Sequence, residues 1–254
     1  MIILTQVKPY NFVDPPKDGP QRNFGAEDHT VTINDIRGHE SDYTLDNNAF
    51  SALQNIPSAM TYEDWEDEDK IKGVYYDEVE QLLLSRVPGA KRIFLFDHTI
   101  RRTRPNSHRA PVTRVHIDQT ARSTQWRVEL HMGGDAPALL QRRYRIINVW
   151  RPLNGPVFSH PLGFADCSSV RGDHLVGVEH RYPHRTGETA AVKFDDAQKW
   201  NYWSGMENDE RLFLLCFDSD DEGRRVPHTA FVDKRTPEGA PGRESIEVRA
   251  LVFD

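Results

Sequence analysis

The chain changes period at Pro88-Gly89, and that change limits what it can fold into. Before the break, Tyr75, Val79, Leu82, Leu83 and Val87 recur at helical spacing, which predicts an amphipathic helix stopped by the proline and glycine. Beyond it, short segments read as strands. Arg92–Asp97 is a nearly continuous apolar run. Thr113–Asp118 alternates, with Val115 and Ile117 on one face and Arg114, His116 and Asp118 on the other. Arg143–Trp150 is a strand ended by Arg151-Pro152, and 189–194, 211–217, 228–233 and 245–253 complete a strand-rich second half. Upstream, residues 1–30 should wrap the surface and 30–37 should contain a strand. Asp195 to Trp203 suits a short helix. A helix followed by many strands with long connections predicts an α+β, mainly β, fold with a barrel or sandwich core.

No repeat and no low-complexity linker divides the 254 residues, so 1–254 is expected to form a single domain. In it, helical and loop elements over about 1–90 would pack on the strand core. At this length a chain buries roughly 70% or more of its unfolded surface. The net charge of −7 argues against nucleic acid as a main ligand and leaves a small-molecule substrate open. Cys167 and Cys216, the two cysteines, are too few for a disulfide framework and read as buried free thiols. The first residues lack the pattern of a secretory signal, and no segment approaches the roughly 20 apolar residues of a membrane span. A cytoplasmic protein is expected. Assembly is left open, a homodimer included.

His116 and Asp118 lie two positions apart on a predicted strand, so their side chains share a face. By itself a His-x-Asp tripeptide is a weak signal in a chain with 11 histidines. More weight comes from His228, far downstream at the head of a short apolar-alternating run, and from the arginine-bearing strand that follows it. Two imidazoles and a carboxylate can cap one side of Fe(II) and leave the opposite positions open for a cosubstrate and O2. Arg243, Ser245, Glu247 and Arg249 share one face of the last strand. Two arginines facing a cavity are costly without an anionic guest, and a 2-oxo dicarboxylate such as 2-oxoglutarate is one. The pairing of Arg243 with Ser245 favours that site. If Pro237 to Gly242 is a turn that returns 246–251 beside His228, Arg249 is favoured; both can hold, with one arginine serving each carboxylate. Asn148, Trp150 and Arg151 are candidates for the substrate mouth.

Several blocks around these positions resemble one family of non-heme iron oxygenases, known as gibberellin-desaturase-like, aspergillic-acid hydroxylase/desaturase-like and cephem methoxylase component-like. They are Val31-Thr32-Ile33-Asn34-Asp35-Ile36-Arg37-Gly38, Phe96-Asp97-His98-Thr99-Ile100-Arg101, Val115-His116-Ile117-Asp118-Gln119-Thr120, Ile147-Asn148-Val149-Trp150-Arg151-Pro152, Pro227-His228-Thr229-Ala230-Phe231 and Glu244 to Phe253. The resemblance implies a double-stranded β-helix, or jelly-roll, core with Fe(II) at His116, Asp118 and His228. It also implies 2-oxoglutarate as cosubstrate and the hydroxylation or desaturation of a small secondary metabolite. Members act on different molecules, so no substrate is named. A non-catalytic metal-holding jelly-roll protein and a helper subunit of another tailoring enzyme are the alternatives.

Other features carry less. His98 to Arg102 reads equally as a substrate contact or a surface loop. The acidic stretch Thr61–Lys70 should be a solvated helix start or loop with Tyr62 and Trp65 turned inward. Asp218 to Gly223 lacks the spacing of a calcium loop and reads as a mobile turn. His180 and His184 make a weak second metal candidate. Neither a phosphate-binding glycine loop nor a nucleophile elbow occurs.

Overall fold

The computed structural model describes residues 7–104 and 109–254. Its strands, in chain order, are β1 (Tyr10–Phe12), β2 (Ile33–Asp35), β3 (Phe50–Leu53), β4 (Arg92–Arg102), β5 (His116–Ile117) and β6 (Tyr144–Pro152). They continue with β7 (Leu162–Ala165), β8 (Leu175–Arg181), β9 (Thr186–Val192), β10 (Trp200–Tyr202), β11 (Arg211–Asp218), β12 (His228–Ala230) and β13 (Glu244–Phe253). One sheet runs β3-β11-β6-β13-β4, and a larger one runs β1-β8-β9-β5-β12-β7-β10-β2. The fold is mainly β.

The five-stranded sheet is covered on both faces, so β6 and β11 are almost wholly buried along their length. On the outer face Ile147, Val149, Phe213, Ile246 and Val248 meet the helix Tyr76–Arg86 through Val79 and Leu83. Burying one such leucine contributes about 1.5–3 kcal/mol. The helix stops where the sequence stops it: Gly89 takes φ 79°, and a Cβ there would sit 2.7 Å from the Asp254 carboxylate. On the inner face Ile146, Phe217, Leu251 and Phe253 pack with Ile117 and Ala190 of the larger sheet and with Val128 of the helix Ala121–Met132. The two sheets therefore face one another. Among the described residues no helix is long and apolar enough to cross a membrane.

Most predicted strands are present, with shifted ends. The strand of 113–118 contracts to His116–Ile117, because Thr120 already caps the following helix by accepting from the Ser123 N–H. The run 228–233 ends at Ala230, and the strand of 30–37 is only Ile33–Asp35. Asp195 to Trp203 is not a helix. Its last part is β10, held between β7 and β2, where sheet pairing overrides a helical composition. Trp65 is buried, but Tyr62 is 47% exposed, only its hydroxyl reaching inward to donate to the buried Glu244 carboxylate. Cys216 is buried and Cys167 half-buried. Asp218 to Gly223 is not simply mobile. The buried Asp218 carboxylate accepts two bonds from Arg143, at 3.0 and 2.6 Å, and one from Arg224 at 3.0 Å, which pins the start of the turn.

Candidate metal centre and its polar wall

His116 and His228 are direct cross-strand partners in the antiparallel pair β5–β12, their ring centroids 4.6 Å apart. Sheet register, not nearness in sequence, brings them together. Asp118 follows two residues after His116, just past the strand end. One donor atom from each of the three lies within 4.8 Å of the others, and no second such group occurs among the described residues.

The remaining atoms of each ligand candidate are already engaged. His116 Nδ1 lies 2.8 Å from the Arg114 carbonyl and His228 Nδ1 3.2 Å from that of Val226. A carbonyl only accepts, so both rings carry their proton on Nδ1 and keep the Nε2 lone pair free. Asp118 Oδ2 accepts from Asn148 Nδ2 and from Arg249 Nε, both at 2.8 Å, while Oδ1 lies 3.4 Å from His116 Nε2. Burial opposes the charge on Asp118, but the Arg249 guanidinium outweighs it and holds the carboxyl well below the usual range. Burial, then the neighbouring His116, lowers His228 and keeps its imidazole neutral. Two imidazole nitrogens and one carboxylate oxygen, with the other polar atoms of the three side chains oriented, fit a divalent cation of the Fe(II) type.

A wall of polar side chains faces this group. Just before β13 and along it the wall is Arg243, Ser245, Glu247 and Arg249, as the alternation predicts. Along β4 it is Asp97, Thr99 and Arg101, in register with Arg249, Glu247 and Ser245. Arg101, Thr99 and Glu247 line the cleft above the histidines together with Arg243 and Ser245. Arg101 and Thr99 were legible in principle, since polar residues recur at every second position from Asp97, but only in a strand carried past Asp97.

The two arginine candidates differ in what they touch. Arg249 bonds Asp118, Asp97 at 3.0 Å and Glu247 at 2.6 Å, so its donors are engaged with three carboxylates. The return of 246–251 beside His228 does not form, because β13 pairs with β4 and β6. Arg243 is 2% exposed, donates Nη1 to the His160 carbonyl at 2.6 Å, and leaves Nε without a partner. Burial, followed by the charge of Arg101, pulls its guanidinium down to about 9, the mark of a cation lacking a counter-ion. Ser245 is buried on the same face.

The trio Asn148, Trp150 and Arg151 splits because neighbours on a strand face opposite ways. Asn148 is fully buried against Asp118 instead of at a substrate mouth. Trp150 lines the cleft, with the Arg243 guanidinium 5.5 Å from its ring. Arg151 points to the outer face, over the rings of Trp65 and Tyr75 at 4.9 and 5.4 Å, and does not reach the metal centre. His98 lies in β4, not in a loop, and its Nδ1 is 2.9 Å from the Tyr76 hydroxyl. His180 Nε2 pairs with the Thr189 hydroxyl at 2.9 Å, so the weak second metal candidate gains nothing.

A mainly β protein with two histidines and an aspartate converging inside it has the donor set of the non-heme iron oxygenases. A family model described as an oxidoreductase/YMDC permease-like domain matches residues 4–253. The hydroxylase/desaturase poxK of Penicillium oxalicum is 35% identical over 94% of this chain and 83% of its own. The Fe(II)/2-oxoglutarate-dependent dioxygenase nvfI of Aspergillus novofumigatus is 32% identical over 98% of this chain and 92% of its own. A solved structure of the iron and alpha-ketoglutarate-dependent endoperoxidase NvfI superposes with TM-score 0.92 at 29% identity, covering 100% of this chain and 96% of that one. The chain belongs to the hydroxylase/desaturase family of Fe(II)/2-oxoglutarate-dependent oxygenases. That its relatives are enzymes favours catalysis over a purely metal-holding or helper role.

Proposed function

We propose that His116 Nε2, Asp118 Oδ1 and His228 Nε2 hold Fe(II), and that Arg243 with Ser245 receives the far carboxylate of 2-oxoglutarate. The two facing sheets would be the walls of a double-stranded β-helix, and residues 1–254 one catalytic domain. Bound iron, with 2-oxoglutarate and O2, supplies an oxidant for an unactivated C–H bond, giving hydroxylation or desaturation with release of succinate and CO2. The chain's own residues do the rest. The Arg114 and Val226 carbonyls fix the imidazole tautomers, and Asn148 with Arg249 keeps Asp118 offering a single oxygen. Arg243 has no carboxylate of its own, and this is the observation that carries the cosubstrate assignment. The free space in the cleft is small, about 20 Å3, so the cosubstrate enters as Arg101 and Glu247, the long side chains of its wall, turn aside. A small secondary metabolite would meet the open side of the centre near Trp150.

Titrating 2-oxoglutarate into anaerobic Fe(II)-loaded protein should produce a weak metal-to-ligand band in the visible. Arg243→Met should raise the concentration needed by at least about 10-fold, the loss of one charge-assisted contact of about 1.5–3 kcal/mol. His228→Ala and Asp118→Ala should show no band and release no succinate. Unchanged titration in Arg243→Met refutes the cosubstrate site, and full turnover in either ligand variant refutes the metal assignment.

A further inference from the structure

The outer face of β6 presents a second buried arginine that lacks a counter-ion. Arg151 is 4% exposed. Its Nε donates to the Pro152 carbonyl at 3.3 Å, and Nη1 makes no bond of ordinary geometry; the neutral Tyr75 hydroxyl beside it adds a weak contact but no charge. Several other arginines that pack into the protein reach a carboxylate: Arg143 pairs with Asp218, Arg145 with Asp254, Arg37 with Glu210 and Arg249 with Asp118. Arg151 forms no such pair. Glu78, the acid whose field it feels, is held by the Ser58 hydroxyl and the Ala59 N–H. Arg211, 1% exposed, adds positive charge and gives its protons to the carbonyls of Ile56, Asn208 and Glu210. Burial pulls Arg151 down to about 10, so it is still a cation at neutral pH. A buried, unpaired cation costs several kcal/mol unless an anion completes it.

Space for such an anion lies beside it. Arg151 lines a cleft of about 250 Å3 whose other walls include Ile56, Met60, Trp65 and Leu153, with Asp209 at an exposed edge. The walls mix apolar side chains with polar ones, Ser58 and Asn208 among them, and the indole of Trp65 flanks the guanidinium. Because Asn148 and Trp150 take the opposite face of the same strand, the sheet itself separates this cleft from the metal centre. We infer that the cleft is a second ligand site, which takes a small monocarboxylate with a flat apolar body. The carboxylate would meet Arg151, and the body would lie against Trp65, Met60 and Leu153.

The test is equilibrium dialysis of labelled benzoate against the full chain, loaded with Fe(II) under nitrogen and saturated with 2-oxoglutarate. Labelled benzamide, of the same shape without the charge, is the control. About one benzoate per chain should be retained and benzamide should not. Arg151→Met should weaken retention at least tenfold, and Arg151→Lys should restore part of it. Ile56→Trp should fill the cleft and abolish retention while leaving basal succinate formation unchanged, which decides the matter even if Arg151→Met does not fold. Three results overturn the inference: no retention by the native protein, equal retention of benzamide, or undiminished retention when the cleft is filled.

Discussion

Replacing Asn148 by alanine isolates one contact that the metal centre should need. Asn148 has no exposed surface, and its Nδ2 donates to Asp118 Oδ2 at 2.8 Å. The acceptor is a charged oxygen, and such bonds contribute about 1.5–3 kcal/mol. At roughly 1.4 kcal/mol per tenfold, this corresponds to a ten- to hundredfold loss of metal affinity. Independent experience with residues that orient metal ligands gives the same range, roughly 10–100-fold. Arg249 still holds Oδ2 in the variant, so the lower half of the range, around tenfold, is expected. The assay is a competition titration of Fe(II) against a chelating indicator under nitrogen, with circular dichroism to show that the fold survives. The dissociation constant for 2-oxoglutarate, measured on protein saturated with metal, should stay within about twofold, because no atom of Asn148 reaches Arg243 or Ser245. Native metal affinity in Asn148→Ala would refute the reasoning. So would a loss confined to 2-oxoglutarate.

Arg249→Lys should weaken metal binding by at least about tenfold, since an ammonium cannot reproduce the fork that spans Asp118, Asp97 and Glu247. If it instead weakens 2-oxoglutarate alone, the same titrations return Arg249 to the cosubstrate site. Asp218→Asn should cost about 1.5–3 kcal/mol by urea unfolding near neutral pH, because it removes the buried charge that takes bonds from Arg143 and Arg224 and leaves them only longer contacts to Asp46, Asp220, Asp254 and Asp221. Burial opposes the Asp218 charge, but its bonds from Arg143 prevail and depress the carboxyl. A depressed acid stabilises the fold above its unfolded value and loses that contribution as pH falls through the folded one. The gap between native and variant should therefore be full at pH 6 and shrink below about pH 4; a gap independent of pH contradicts the pairing. Burial, then Asp166, raises the Cys167 thiol to about 11. At pH 8 its thiolate fraction is on the order of one in a thousand, so maleimide labelling should be more than ~100-fold slower in the native than in the urea-unfolded chain. Equal rates would contradict it.

Periodicity made a good deal of this protein legible. The stop at Pro88-Gly89, the strands at 143–150, 211–217 and 245–253, and the shared faces of His116 with Asp118 and of Arg243 through Arg249 all follow from which way successive side chains point. Local pattern is sufficient there because each feature is decided within a few residues. It fails where a partner decides. Trp200–Tyr202 becomes a strand because β7 and β2 flank it, and the strand before Asp118 is short because Thr120 opens a helix. Arg249 turns to Asp118 because β13 lies between β4 and β6. The sequence by itself determined the donor types and the direction each strand residue faces. Only the tertiary structure decided which arginine is left without a counter-ion, because pairing is a matter of distance between elements, and no local pattern encodes distance.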